Sequence, residues 1–136
     1  MFDLDGERTR FEVRQFRFGA TEVVNSLAVW QNQLVAGLAA GNSPFSAAIV
    51  FSDGGAWKTL DLPGKQAGVY CLLNHHGSLY AGTFIRGSAK ANGAAHGARV
   101  LKLSTKGWRT LLGGDDQGTM VMTMTSTPET VYGSYN

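Results

Sequence analysis

The sequence predicts an all-β fold in which four-stranded antiparallel units repeat about a central axis. Three observations predict it: a block of strands that recurs, short apolar runs punctuated by turn residues, and one spacing that occurs three times. The recurrence comes first, because a period of roughly 40 to 50 residues marks stacked or ring-forming units. Val24-Asn25-Ser26-Leu27-Ala28-Val29-Trp30, the turn Gln31-Asn32-Gln33 and Leu34-Val35-Ala36-Gly37 return downstream. Their counterparts are Val69-Tyr70-Cys71-Leu72-Leu73, a turn at Asn74-His75-His76-Gly77, and Leu79-Tyr80-Ala81-Gly82, so that Gly82 follows Gly37 by 45 positions. Ala48-Ile49-Val50-Phe51, Ser52-Asp53-Gly54-Gly55 and Trp57-Lys58-Thr59-Leu60 return as Arg99-Val100-Leu101-Lys102-Leu103, Ser104-Thr105-Lys106-Gly107 and Trp108-Arg109-Thr110-Leu111. Trp108 follows Trp57 by 51 positions, and the extra length falls in one loop.

The elements follow in chain order. Runs of four to seven residues rich in Val, Leu, Tyr and Thr, broken by Gly, Asn, Asp or Pro, read as strands. Residues 1–22 hold the third and fourth strands of a unit: Met1-Phe2-Asp3-Leu4 with the turn Asp5-Gly6, then Arg10-Phe11-Glu12-Val13. Residues 23–68 and 69–119 hold four strands each. Residues 120–136 hold a first and second strand, Met120-Val121-Met122-Thr123-Met124 and Thr130-Val131-Tyr132-Gly133-Ser134-Tyr135-Asn136, around the turn Ser126-Thr127-Pro128-Glu129. The register rests on spacing: Phe11 to Val23, Trp57 to Val69 and Trp108 to Met120 are each 12 positions. A helix over residues 24–38 is the best rival, and Asn32 and Gly37 argue against it. Residues 87–97 allow a helical turn, but three glycines there favour a loop.

Composition narrows the function classes. The 136 residues make one domain, 1–136, large enough to bury a core without disulfides or metal. Charged residues are 16% against a usual ~25%, so the surface is weakly charged. The net charge of +2 is spread along the chain, which disfavours a nucleic-acid stripe or an anionic-membrane face. Cys71 is the single cysteine, so no internal disulfide forms. The first 20 residues carry Phe, Asp, Glu and Arg instead of an apolar signal core, and no apolar run approaches the ~18 to 20 residues of a membrane span. The expectation is a soluble, cytoplasmic protein with neither nucleic acid nor membrane as partner.

The order strand, Asn/Gly turn, Leu79-Tyr80-Ala81-Gly82, variable loop, apolar strand, Asp53-Gly54-Gly55 and Trp57 resembles the blades of β-propellers of the kelch-like and galactose-oxidase-like kind. Ser52-Asp53-Gly54-Gly55-Ala56-Trp57 is also similar to the Asp-box turn of sialidase-like propellers, one residue shorter before Trp57. The resemblance implies a scaffold and a binding face. It transfers no catalytic role, because the metal-ligating residues of galactose oxidases and the arginine triad of sialidases have no matching motif. Ala36-Gly37 and Ala81-Gly82 suit crowded inner strands, and Trp57, Trp108 and Phe11 offer large apolar area between neighbouring sheets.

Candidate chemistry is sparse. His75-His76 near Cys71 suggests zinc, but a second Cys or carboxylate at ligand spacing is missing, and a strand-end turn explains the pair. Asp115-Asp116 suits a general acid/base pair or a calcium ligand set, and equally a solvated loop. Gly-x-Ser-x-Gly, Walker and Gly-x-Gly-x-x-Gly motifs do not occur. Met120, Met122 and Met124 alternate onto one strand face and read as core. No catalytic residue, metal or cofactor is therefore expected. In propellers the loops after the second and fourth strands of each blade emerge on one face. Asn42, Lys65, Gln66, Arg86, Lys90, Asn92, His96, Asp115, Asp116 and Gln117 would converge there as ligand-binding residues, the alternative being ordinary exposed loops.

The function expected is a non-catalytic binding module presenting that face to a glycan, a small polar ligand or a protein. The rivals are a hydrolase- or lyase-type propeller enzyme and a fragment of a longer propeller with no role of its own. Twelve strands make three blades, fewer than the four to eight that propellers typically close. The expected partner is therefore a second copy, giving a six-bladed homodimer. Residues 1–13, from Met1 to Val13, would complete in trans the blade begun by residues 121–135, from Val121 to Tyr135.

Overall fold

β-Branched and aromatic runs fit a pleated surface that packs on both faces, and the chain uses them as strands throughout. The computed structural model describes residues 2–4, 7–9, 22–40, 48–63, 68–85, 97–113 and 121–135. Those residues hold β1 (Phe2–Leu4), β2 (Glu7–Thr9), β3 (Glu22–Trp30), β4 (Gln33–Ala40), β5 (Ala48–Ser52) and β6 (Lys58–Leu60). They continue with β7 (Gly68–His75), β8 (Ser78–Ile85), β9 (Gly97–Ser104), β10 (Gly107–Gly113), β11 (Val121–Ser126) and β12 (Val131–Tyr135). The fold is all-β, and among the described residues no helix is long and apolar enough to cross a membrane.

β3 to β6 form one antiparallel meander and β7 to β10 a second, each strand pairing with the next. A single pairing, Ala39 with Gly68, joins them into one strongly curled sheet. β11 pairs with β12 and β1 with β2 as separate two-stranded sheets. The first hairpin sets Leu4 opposite Glu7, so its second strand precedes the segment expected to form it. That segment, residues 10–13, lies outside the described residues.

Turn chemistry sets the hairpins. Gln31 and Asn32 have φ of 50° and 60°, and His76 and Gly77 have 49° and 74°, the two left-handed positions of a type I′ turn. Asn and Gly suit the second position; Gln31 and His76 hold the first without glycine's freedom. Ser52 Oγ accepts from Gly54 N at 3.1 Å and Ser104 Oγ from Lys106 N at 3.3 Å, so the Asp-Gly and Lys-Gly turns start in the same way.

The repeat extends to an irregularity. Val24, Val69 and Val121 pair with Leu38, Thr83 and Tyr135, and each is followed at once by a β-bulge. That extra residue shifts the alternation of the strand. It corrects the reading of the methionines: Met122 sits in the bulge and is exposed, Met124 packs beside Cys71 and Val121, and Met120 lies outside the described residues.

The main core lies between the two meanders. Trp30, Val35 and Ile49 from the first meet Val69, Leu72, Leu79 and Leu101 from the second, with Phe51, Leu60 and Trp108 at the margin. Each such side chain contributes about 1.5–3 kcal/mol by leaving water. Hydrogen bonds cross the same joint between positions 44 to 47 apart in sequence. Asn25 Nδ2 donates to Val69 O (3.1 Å), Leu72 N to Ser26 Oγ (2.9 Å) and Asn74 Nδ2 to Val29 O (3.0 Å). Trp30 Nε1 donates to Gly77 O (2.8 Å) and Trp108 Nε1 to Asp61 O (2.7 Å).

The next joint repeats the first. Cys71 Sγ donates to Val121 O at 3.5 Å, and His76 Nε2 meets Pro128 O. Glycine makes both approaches possible. A Cβ on Gly37 would stand 2.6 Å from Val69 Cγ1, and one on Gly82 would stand 2.9 Å from Val121 Cβ. Neighbouring units thus stack in parallel, first strand against first strand.

Candidate functional site

Register decides which strand ends share one side of the stack. Leu38 pairs with Ala48, Ala39 with Gly68, Ile49 with Leu60, Ile85 with Gly97, Arg99 with Gly113, and Val121 with Tyr135. The strand ends that bound segments 41–47, 64–67, 86–96 and 114–120 are therefore all at one end. The two-residue turns Gln31-Asn32 and His76-Gly77 are at the other. Those four segments carry every residue expected to bind ligand. Asn42, Lys65, Gln66, Arg86, Lys90, Asn92, His96, Asp115, Asp116 and Gln117 all lie outside the described residues.

The described residues at that end supply an aromatic pair and a cation. Tyr70 and Phe84 stand with ring centroids 5.2 Å apart and planes tilted by 52°. Gly68 makes room for them: its Cβ would fall 2.9 Å from the Phe84 ring, 3.0 Å from the Tyr70 ring and 3.2 Å from Ala39 Cβ. Arg99, which pairs with Thr83 across β8–β9 and so lies on the other face of that pairing from Phe84, donates from Nη1 to Ala98 O at 3.2 Å. Both rings are half-buried, which leaves part of each surface to stack against a flat or weakly polar ligand face. Reading the sequence for loop residues missed these three. The signal that could have found them was position: Phe84 stands just before one long connection and Tyr70 just after another.

The zinc-like trio is split. His75 and His76 stack edge to face at 4.1 Å at the turn end, with Tyr80 beside His75 and Lys102 Nζ 5.4 Å above the Tyr80 ring. Desolvation, then the charges of His76 and Lys102, hold His75 below the usual imidazole range. Cys71 is buried further along β7, and burial pushes its thiol up to about 11 against a lowering hydrogen bond from Gly82. Among the described residues no group of three His, Cys, Asp or Glu side chains is placed to hold a metal ion.

A shallow apolar groove lies elsewhere, between the second meander and the β11–β12 pair. Tyr80, Val100, Leu111, Leu112, Val131 and Gly133 are among the residues lining its roughly 230 Å³. In comparisons with known proteins, no protein family, curated protein or solved structure matches the chain.

Proposed function

We propose that the chain is a non-catalytic binding scaffold of propeller type, two four-stranded units flanked by two half-units, which a second copy extends to a ring of six. Its working face is the end where the long connections attach, and its ligand is a glycan, a small polar molecule or a protein. One observation carries the reading: the connections from β4 to β5, β6 to β7, β8 to β9 and β10 to β11 begin and end on the same side, at the end of the sheet that holds the Tyr70–Phe84 pair. A stiff stacked body that gathers variable segments at one end is the arrangement by which loops are made to bind. Aromatic rings next to polar loops suit the apolar face and hydroxyl rim of a sugar.

A glycan array and a small-molecule thermal-shift screen test this on the 136-residue chain. A ligand found in either is retested on Arg86→Ala, Lys90→Ala and Phe84→Leu. The expected result is affinity at least tenfold weaker in one or more of them with the fold unchanged by circular dichroism. A ligand indifferent to all three places the binding face elsewhere, and turnover of a bound glycan gives the chain to the enzyme reading.

A further inference from the structure

The internal joints show what a covered unit looks like, and among the described residues two surfaces lack that cover. On the front, Val69 and Leu72 are 0% and 8% exposed, whereas their equivalents Val24 and Leu27 are 43% and 60% exposed. On the back, Tyr80 is 8% exposed and its equivalent Tyr132 is 54% exposed. The pairing edges differ in the same way. β4 and β8 each carry a third strand, β5 and β9, on the edge away from the first strand. Among the described residues β12 pairs only with β11, and the β1–β2 hairpin pairs with no other sheet.

We propose that the groove beside β12 is the seat of the β1–β2 hairpin from a second copy, whose β3 lies against β11 and β12. This rests on the stacked-unit reading of the fold. The groove is where the third and fourth strands of a complete unit would lie, over Val100, Leu111 and Leu112 and against the free edge of β12. The hairpin matches that place. It is an antiparallel pair like β5–β6 and β9–β10, and its first strand alternates Phe2, Asp3, Leu4, an apolar-polar-apolar order suited to a strand with one covered face.

Chain order selects a second copy over the hairpin's own chain. A fourth strand leads into the first strand of the next unit, as β6 leads to β7 and β10 to β11. By that rule β2 belongs to the unit in front of β3, at the opposite end of the stack from β12 of the same chain. Self-closure would need a ring of three units, below the range of about four to eight that propellers use, whereas two copies give six. The exposed apolar fronts and backs are then complementary and meet twice about a two-fold axis. Ser134 stands where Gly37 and Gly82 do inside the chain, so the first strands stand farther apart at this joint than at the internal ones.

Size-exclusion chromatography with light scattering on three chains tests the joint: the 136-residue protein, Leu112→Arg, and a variant lacking residues 1–9. Leu112 is exposed in the single chain, so arginine there blocks the groove without entering a core. The expected masses are twice 14.5 kDa for the first, 14.5 kDa for Leu112→Arg and about 1 kDa less for the shortened chain, with a heterodimer on mixing the two variants. The mixture pairs an intact hairpin with an intact groove. An unaltered protein at 14.5 kDa up to 100 μM overturns the ring and the joint together. A dimer that survives in both variants overturns the joint and leaves the ring reading standing. Should Leu112→Arg lose its strand signal by circular dichroism, Leu111→Lys, also at an exposed position, takes its place under the same criteria.

Discussion

Leu72 and Leu27 occupy the same position in consecutive units, two residues past a bulge that both strands share, and they lead opposite lives. Leu72 is buried against Trp30, Val35 and Ile49, while Leu27 faces outward. Same residue type, same strand geometry and same register give different burial because one strand has a unit in front of it. What a repeat fixes is therefore the shape of a joint, and whether the joint is filled depends on what is placed next to it. Stability in such a stack sits largely in the joints, as nearest-neighbour terms. The comparison between covered and uncovered equivalents can be broken or sharpened by substitution.

The largest effect is expected where glycine lets two units touch. Gly82→Val drives a branched side chain into Val121 and Cys71, whose atoms already crowd the glycine. Strained overpacking of this kind costs up to ~3 kcal/mol and sometimes more. Ser134→Val, at the equivalent exposed position, is expected to change single-chain stability by less than ~0.5 kcal/mol. Urea denaturation of the two variants at matched low concentration gives the contrast directly. Equal losses would mean that the Gly82 contact is not a joint at all.

Next come the two leucines. Leu72→Ala should cost about 2–3 kcal/mol through lost burial and the cavity it leaves. Leu27→Ala should cost less than ~1 kcal/mol, because most of that side chain is already in water. The same denaturation series measures both, with the unaltered chain as reference. A Leu27→Ala loss that grows with protein concentration would report the joint between copies.

How much of this was legible beforehand follows from which residues carried the signal. The strand pairs were visible because Val, Leu and Tyr runs and the turns around Asn32, Gly77 and Gly54 are local signals that need no partner to be read. The bulges after Val24, Val69 and Val121 were not, since an extra residue in a ladder shows only once the opposite strand is known. Met122 was misplaced for that reason. Asn25 and Asn74 look like surface polar residues, yet each donates to a backbone carbonyl of the neighbouring unit. The side on which the long connections gather follows from register, whereas Tyr70, Phe84 and Arg99 became candidates only when strand ends were placed beside one another.

Cys71 sharpens the comparison through pH. Its counterpart in the first unit is Ser26, and both sit in the joint to the next unit, the thiol donating to Val121 O and the hydroxyl accepting from Leu72 N. Burial raises the thiol from 9.0 to about 11. A raised pKa means that above pH 9 the unfolded chain gives up this proton while the folded chain keeps it, so stability falls from pH 9 to 11. The stability lost with this one proton is on the order of 2 kcal/mol. Cys71→Ser, copying the first unit, should flatten that part of the profile. If the two profiles stay parallel from pH 8 to 11, the thiol is not shielded in the joint.

The smallest effect belongs to the tryptophans that bridge the first joint. Trp30→Phe keeps most of the buried ring area and removes one hydrogen bond, Nε1 to Gly77 O. A neutral hydrogen bond of this kind contributes about 0.5–1.5 kcal/mol net. Gly77 lies exposed in its turn, so water can reach the released carbonyl and the loss should fall near ~1 kcal/mol, with some cavity cost included. Trp108→Phe removes the corresponding bond to Asp61 O at a more exposed site and should cost less than Trp30→Phe. Urea midpoints followed by circular dichroism order the two. A reversed order would show that the outer edge of the joint, where Trp108 meets the end of the first meander, holds the units together more firmly than the inner strands do.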